Sequence, residues 1–201
     1  MKDLSVLLVG SVMLMVAIRY TYQIWKHEIS STLSMWIIFS LGTGLSLTTY
    51  TIAEKYDFRS GILNTLDVVG TATIVLAIII WGKHGMRFRP FEKWYLGGVG
   101  AIIAYGLLSG NAWTSNVFTQ VLISVGYFPT IQNLLTEKRN TESFTAWGLN
   151  ALAGLIALYP AIVNGNSLAI LYSVRSIISI LVLLTIMIYY EVHSKRAISQ
   201  N

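Results

Sequence analysis

Seven stretches of about twenty mostly apolar residues follow one another along the chain, at 4–25, 33–53, 61–82, 94–112, 115–135, 144–163 and 167–190. Charged residues are confined almost entirely to the short segments between them. A helix of about 20 apolar residues crosses the hydrocarbon core of a bilayer. Lipid offers no partner to a free backbone N–H or C=O, so runs of this kind become helices. The expected fold is therefore an all-α integral membrane protein with seven transmembrane helices. With 54% hydrophobic and 11% charged residues, the chain lies far from the roughly one quarter charged of soluble domains. The first apolar run follows a single lysine and has no small-x-small cleavage site, which marks it as a retained membrane helix rather than a leader.

The loops are short, so their basic residues indicate orientation. The segments after spans one, three and five and the C-terminal tail carry Lys26, Lys83, Arg87, Arg89, Lys93, Lys138, Arg139, Lys195 and Arg196. The opposite side has only Lys2, Lys55 and Arg59. This predicts an N-terminus outside and a C-terminus in the cytoplasm, in the plasma (cytoplasmic) membrane. The net charge of +5 follows from that bias and calls for no nucleic-acid partner; the partner implied by composition is the lipid bilayer. Cysteine is absent, and His27, His84 and His193 are far apart without ligand spacing, so no cofactor and no metal are expected. Trp25, Trp36, Trp81, Trp94, Trp113, Tyr189 and Tyr190 fall near span ends, where aromatic rings anchor at the headgroups. Span four is rich in glycine and contains Gly106-x-x-x-Gly110, a spacing that permits close helix approach.

Setting Trp36 on Trp147 gives an offset of 111 residues and lays Ile24 on Leu135, Ser30 on Thr141, Thr32 on Ser143 and Leu33 on Phe144. Spans one to three then overlie spans five to seven, and span four is unmatched. The expected organisation is two parallel three-helix-bundle repeats joined by a linker helix: residues 1–90, the linker 91–113, and residues 114–201 with the cytoplasmic tail.

Between Pro129 and Trp147 the chain reads PTIQNLLTEKRNTESFTAW. A proline inside a helix removes one backbone hydrogen bond and bends the chain, freeing a carbonyl that must find another partner in lipid. Gln120 and Gln132 are candidates for that partner, and the segment 140–143 supplies capping residues for the next helix. This stretch resembles the PQ-loop motif. The PQ-loop group includes the SWEET and SemiSWEET (MtN3-like) sugar transporters and lysosomal amino-acid exporters, with the KDEL receptor as a relative. The resemblance implies a seven-span 3+1+3 architecture with an outside N-terminus, and Pro129 and Gln132 as hinge or gating residues. Two departures are visible: Thr130 follows Pro129 where the motif has glutamine, and Ile18 occupies the proline position of the first half. Bending is thus expected chiefly in the second half.

Charge at membrane depth costs about 2.5–3.5 kcal/mol on insertion scales, so it generally faces a bundle interior or a wet cavity. Asp67 in span three and Arg175 in span seven are such residues. Asn64, Asp67 and Thr71 share one helix face, and Tyr172, Arg175, Ser176 and Ser179 share another. Two readings follow. Asp67 and Arg175 form a structural ion pair, or they bind a solute together with Asn64, Asn150, Tyr172 and an aromatic wall at Trp147. The expected function is a membrane transporter of a small polar solute (sugar, amino acid or related) that works by alternating access of two bundles around a midplane site. The charge pair leaves room for an anionic or zwitterionic solute and for proton coupling through Asp67. Alternatives are a vitamin-precursor transporter resembling the PnuC type and a seven-helix ligand-binding receptor. No enzyme is expected, since no Ser/His, paired-carboxylate or HExxH constellation is present. A homo-oligomer is compatible with seven spans but not required.

Overall fold

A computed structural model of the chain describes residues 2–29, 31, 33–54, 57–82 and 90–199, the side chains of Glu92 and of residues 193–199 excepted. His84, Lys55, Lys83, Arg87 and Arg89, and the side chains of His193, Lys195 and Arg196, lie outside the described residues. Among the described residues there are eight helices and no strand. They are α1 (Lys2–Trp25), α2 (Leu33–Ala53), α3 (Ile62–Trp81), α4 (Pro90–Ser109), α5 (Ala112–Val125), α6 (Phe128–Glu137), α7 (Phe144–Val163) and α8 (Ser167–Ser199). Five of them, α1, α2, α3, α7 and the Ser167–Val192 part of α8, are long and apolar enough to cross a membrane.

Helix ends follow local chemistry. Ser143 caps α7 by accepting from the Ala146 amide (3.2 Å), and Asn111 caps α5 by accepting from Thr114 (3.0 Å). Gly110 ends the α4 turn with φ +65, and Lys138 stops α6 in the same left-handed region with φ 52. The glycine pair of span four divides its work between these roles. Gly110 makes the turn, while a Cβ at Gly106 would come within 2.9 Å of Ser115 Oγ on α5.

The single helix expected over 115–135 is two helices, of 14 and 10 residues. Pro129 is not an interior kink but the second residue of α6, where its missing N–H costs least. The break is set at Gly126, whose amide bonds Leu122 O and Ile123 O (both 3.0 Å) and where a Cβ would come within 3.0 Å of the Ile123 carbonyl oxygen. A second proline, Pro160, lies inside α7 one turn before its end.

Packing is pairwise. α3 lies against α1 and α2, and α8 against α7 and α5. Across the molecule α1 packs on α7 and α2 on α5, while α4 rests on α5 and α2. Ala153, Ala157 and Ala161 form a fully buried small-residue stripe on α7 that lets its neighbours approach closely. The outward faces are apolar too, with Leu7, Leu14 and Ile18 on α1 and Ile178 and Leu181 on α8 exposed. A molecule that is apolar outside and polar within is arranged for lipid.

Candidate functional site

Between α2, α3, α5, α7 and α8 lies a cavity of about 30 Å³. Five of the six expected binding residues line it: Asp67, Trp147, Asn150, Tyr172 and Arg175. Asn64 does not. It is buried one turn along α3 against Ser46. Pro129 and Gln132 are on α6, away from the cavity, and Gln132 is exposed.

Asp67 and Arg175 form no ion pair; the described residues contain only Arg59–Asp3 and Arg139–Glu137. Tyr172 stands between them. Its hydroxyl donates to Asp67 Oδ2 (2.7 Å), and the Arg175 guanidinium lies 4.6 Å from its ring centroid. Arg175 Nε donates to Gln120 Oε1 (3.3 Å), and Gln120 Nε2 donates to Ser46 Oγ (2.9 Å) and Asn116 Oδ1 (3.0 Å). Asn116 in turn donates to Ser46 O (2.8 Å) and Thr49 Oγ1 (2.9 Å). With its amide oxygen turned toward Ser46, Asn64 accepts the Ser46 hydroxyl and donates to Thr43 O, which completes the chain. Gln120 is thus committed to Arg175 rather than to a carbonyl freed by Pro129. Three residues lining the cavity carry a buried polar atom without a hydrogen-bond partner: Arg175 (Nη2), Asn150 (Oδ1) and Trp36 (Nε1).

Aromatic rings wall one side of the cavity. Trp36 and Trp147, the pair that defined the 111-residue offset, stack at 6.1 Å with 19° between planes. Tyr127 packs on Trp147 (5.7 Å) and edge-on to Phe39 (4.7 Å). Behind this wall, at the end of the bundle carrying Lys26, Lys138 and Arg139, lies a layer that the sequence reading missed. Tyr20 Oη is 2.5 Å from both Glu142 Oε2 and Ser31 Oγ; Ser31 Oγ is 3.3 Å from Glu142 Oε1; and Trp147 Nε1 donates to Glu142 Oε2 (3.3 Å). Glu142 is only 5% exposed. Burial pushes its carboxyl above the ordinary value of 4.5, against the opposing hydrogen bonds from Tyr20, Trp147 and Ser31. The one available signal was the offset itself, which lays Ser31 on Glu142.

The opposite end is closed differently. Asn164 donates to Asp57 Oδ2 (2.9 Å) and Ser60 Oγ (2.8 Å) and accepts from Lys2 Nζ. Asn166 donates to Tyr50 Oη (3.0 Å), whose hydroxyl donates to Asp57 O (3.2 Å). Partial burial raises the Asp57 pKa, but hydrogen bonds from Ser60, the Arg59 amide and Asn164 outweigh it and hold the carboxyl below 3.8.

The fold and site together define an integral membrane protein of packed helices with a polar cavity inside. Compared with protein-family models, with curated proteins and with solved structures, the chain matches none.

Proposed function

We propose that the protein is a transporter of a small polar solute bearing a carboxylate, working by alternating access of α1–α3 against α5–α8 with α4 as linker. On this reading α4 and the α5–α6 pair complete seven spans, and the chain is a divergent relative of the PQ-loop transporters. The helix pairings support it. Exchanging α1, α2 and α3 for α5–α6, α7 and α8 turns α1 on α7 into α5 on α2, α2 on α3 into α7 on α8, and α1 on α3 into α5 on α8, while the smaller contact of α3 with α7 has no counterpart of similar extent. The contacts Trp36–Trp147 and Ser31–Glu142 join residues 111 apart, as expected where an axis relating two repeats passes through the bundle. The basic residues of the Glu142 end support a cytoplasmic position for it.

The observation that carries the proposal is the unpartnered atoms of Arg175 and Asn150 beside the cavity. A buried polar atom without a partner costs about 1–3 kcal/mol. Arg175 and Asn150 line one cavity, and Arg175 makes no ion pair with Asp67 within it. A carboxylate satisfies the guanidinium, and an N–H or O–H of the same solute satisfies the amide oxygen. The cavity of about 30 Å³ has room for one or two waters, while ligand pockets run to about 300–1,000 Å³. On this reading both ends are shut around a cavity smaller than the solute, and loading requires one of them to open.

The test is a thermal-shift screen of the detergent-purified protein against small carboxylates, amino acids, sugars, nucleosides and vitamins, repeated with Arg175→Gln and Asp67→Asn. A ligand at 100 times its Kd adds about 2.7 kcal/mol. The expected result is a rise in Tm with a carboxylate that disappears in Arg175→Gln, together with counterflow of that compound in proteoliposomes. A hit retained in Arg175→Gln removes the site, and binding without counterflow makes the protein a receptor.

A further inference from the structure

We infer that Glu142 is a proton-binding site, carrying a proton while the Glu142 layer is shut and releasing it to the cytoplasm as the layer opens. This deepens the transporter reading and rests on it, since it names protons as the coupled ion and Glu142 as their site.

The first ground is the absence of a counter-charge. A carboxylate shut away from water is driven toward the neutral acid unless a cation or sufficient hydrogen bonding offsets its lost hydration, and at Glu142 burial outweighs the hydrogen bonds. From α1 the only titratable group facing Glu142 is Tyr20, and from α7 its neighbour is Trp147. Lys26, His27 and Glu28 in the α1–α2 turn are exposed, as are Arg19 on α1 and Glu137, Lys138 and Arg139 on its own hinge; Arg139 is engaged with Glu137. Among the described residues no cation compensates it.

The second ground is a count of protons. Three oxygen contacts form a closed ring: Glu142 to Ser31, Ser31 to Tyr20, and Tyr20 back to Glu142. With Glu142 ionised, the two hydroxyls supply two protons for three contacts. With Glu142 neutral, Oε1–H donates to Ser31 Oγ, Ser31 to Tyr20 Oη and Tyr20 to Glu142 Oε2, while Trp147 Nε1–H reaches the same oxygen. Every donor then has an acceptor. The ring also joins the two halves, α1 and the α1–α2 segment to the α6–α7 hinge, so it persists only while this end is shut. When water enters, the Oε1–H bond breaks, the proton passes to water and the hydrated carboxylate remains. The shut form therefore binds more protons than the open one, and its advantage shrinks as pH rises from 4.5 toward the raised pKa of Glu142.

The experiment compares wild type with Glu142→Gln, whose amide reproduces the neutral acid by accepting from Tyr20 and Trp147 and donating to Ser31. Tm is measured from pH 4.5 to pH 8. Accessibility of the cavity is measured in parallel with Thr43→Cys, the only thiol in a chain without cysteine, using a water-soluble maleimide. The expected result is a wild-type Tm that falls by about 3 °C or more relative to Glu142→Gln as pH rises. Labelling of Thr43→Cys should accelerate over the Glu142→Gln background by about tenfold for each pH unit inside the window. Should Glu142→Gln fail to fold, Ser31→Ala, which opens the ring at Ser31, is expected to displace the wild-type pH profile. Superposed pH profiles for wild type and either variant overturn the inference. A blank solute screen with the Glu142 effect intact removes the carboxylate reading alone, so the two failures are distinct.

Discussion

The two ends of the bundle are both held by a carboxylate, in opposite ways. Glu142 is almost fully buried behind stacked tryptophans, and burial pushes its pKa up. Asp57 is half in water and takes three polar hydrogens, from Ser60, Asn164 and the Arg59 amide, which hold its pKa down. Glu142 is built to be neutral when its end is shut; Asp57 is built to be charged. One chemical group thus makes one closure that responds to protons above the ordinary carboxylate value and one that responds only below it. On the proposed transporter reading the two ends need not open symmetrically, because acid strengthens the shut Glu142 layer before it reaches Asp57.

The largest expected effect that tests this contrast is at the dry end. Trp147 stacks on Trp36, packs on Tyr127 and donates to Glu142, all at 4% exposure. Trp147→Ala is expected to destabilise by about 3 kcal/mol or more, as for large-to-small changes in well-packed interiors. Chemical denaturation in detergent with circular dichroism measures it. A loss under 1 kcal/mol would mean that the aromatic wall is not what keeps this end shut, and the two closures would then differ less than their burial suggests.

Much of the fold was legible in the sequence, because a membrane helix needs a long apolar run and little else. The break between α5 and α6 was not. Gly126 and Pro129 are visible, but whether they bend one helix or separate two is not readable from their presence alone, since the outcome is a turn at 126–127 with Pro129 in the first turn of a new helix. In the site, Asp67, Tyr172 and Arg175 were legible because polar groups at membrane depth must point inward. Asn64 was misjudged for a geometric reason: three residues along a helix is about 300° of turn, and the remaining 60° carries it from the cavity to Ser46 on α2. Glu142 was invisible because it sits in a hinge with Glu137, Lys138 and Arg139, where a charged residue reads as solvated. Its burial comes from Tyr20, 122 positions away.

At the wet end the effects are smaller and the pH sign reverses. Asp57→Asn exchanges an ionised acceptor for a neutral amide facing the donors Ser60, Asn164 and the Arg59 amide. The expected cost near neutral pH is about 1 kcal/mol. Because the folded pKa of Asp57 lies below 3.8, its contribution is complete above that value and is lost as pH falls through the lowered pKa. Tm measured from pH 5 down to pH 2.5 should therefore drop more steeply in wild type than in Asp57→Asn. A variant whose deficit instead grows with acid would show that Asp57 is not ionised in the shut form, and the contrast between the ends would fail.

The smallest effect belongs to the ion pair beside it. Arg59 Nη2 lies 3.0 Å from Asp3 Oδ1, joining the α2–α3 turn to the first turn of α1, but the side chains are 56% and 75% exposed. Exposed pairs contribute about 0–1 kcal/mol, and salt screens them. Arg59→Ala should shift Tm only slightly at low ionic strength and by nothing measurable in 0.5 M salt. The Arg59 amide keeps its bond to Asp57 Oδ1 (3.1 Å) in that variant, since a backbone donor survives the substitution. The wet closure is therefore expected to depend on Asp57 and Asn164 rather than on the charges around them. A loss approaching that of Asp57→Asn would reverse this and make the wet end an electrostatic latch, sensitive to salt in the way that the dry end is sensitive to protons.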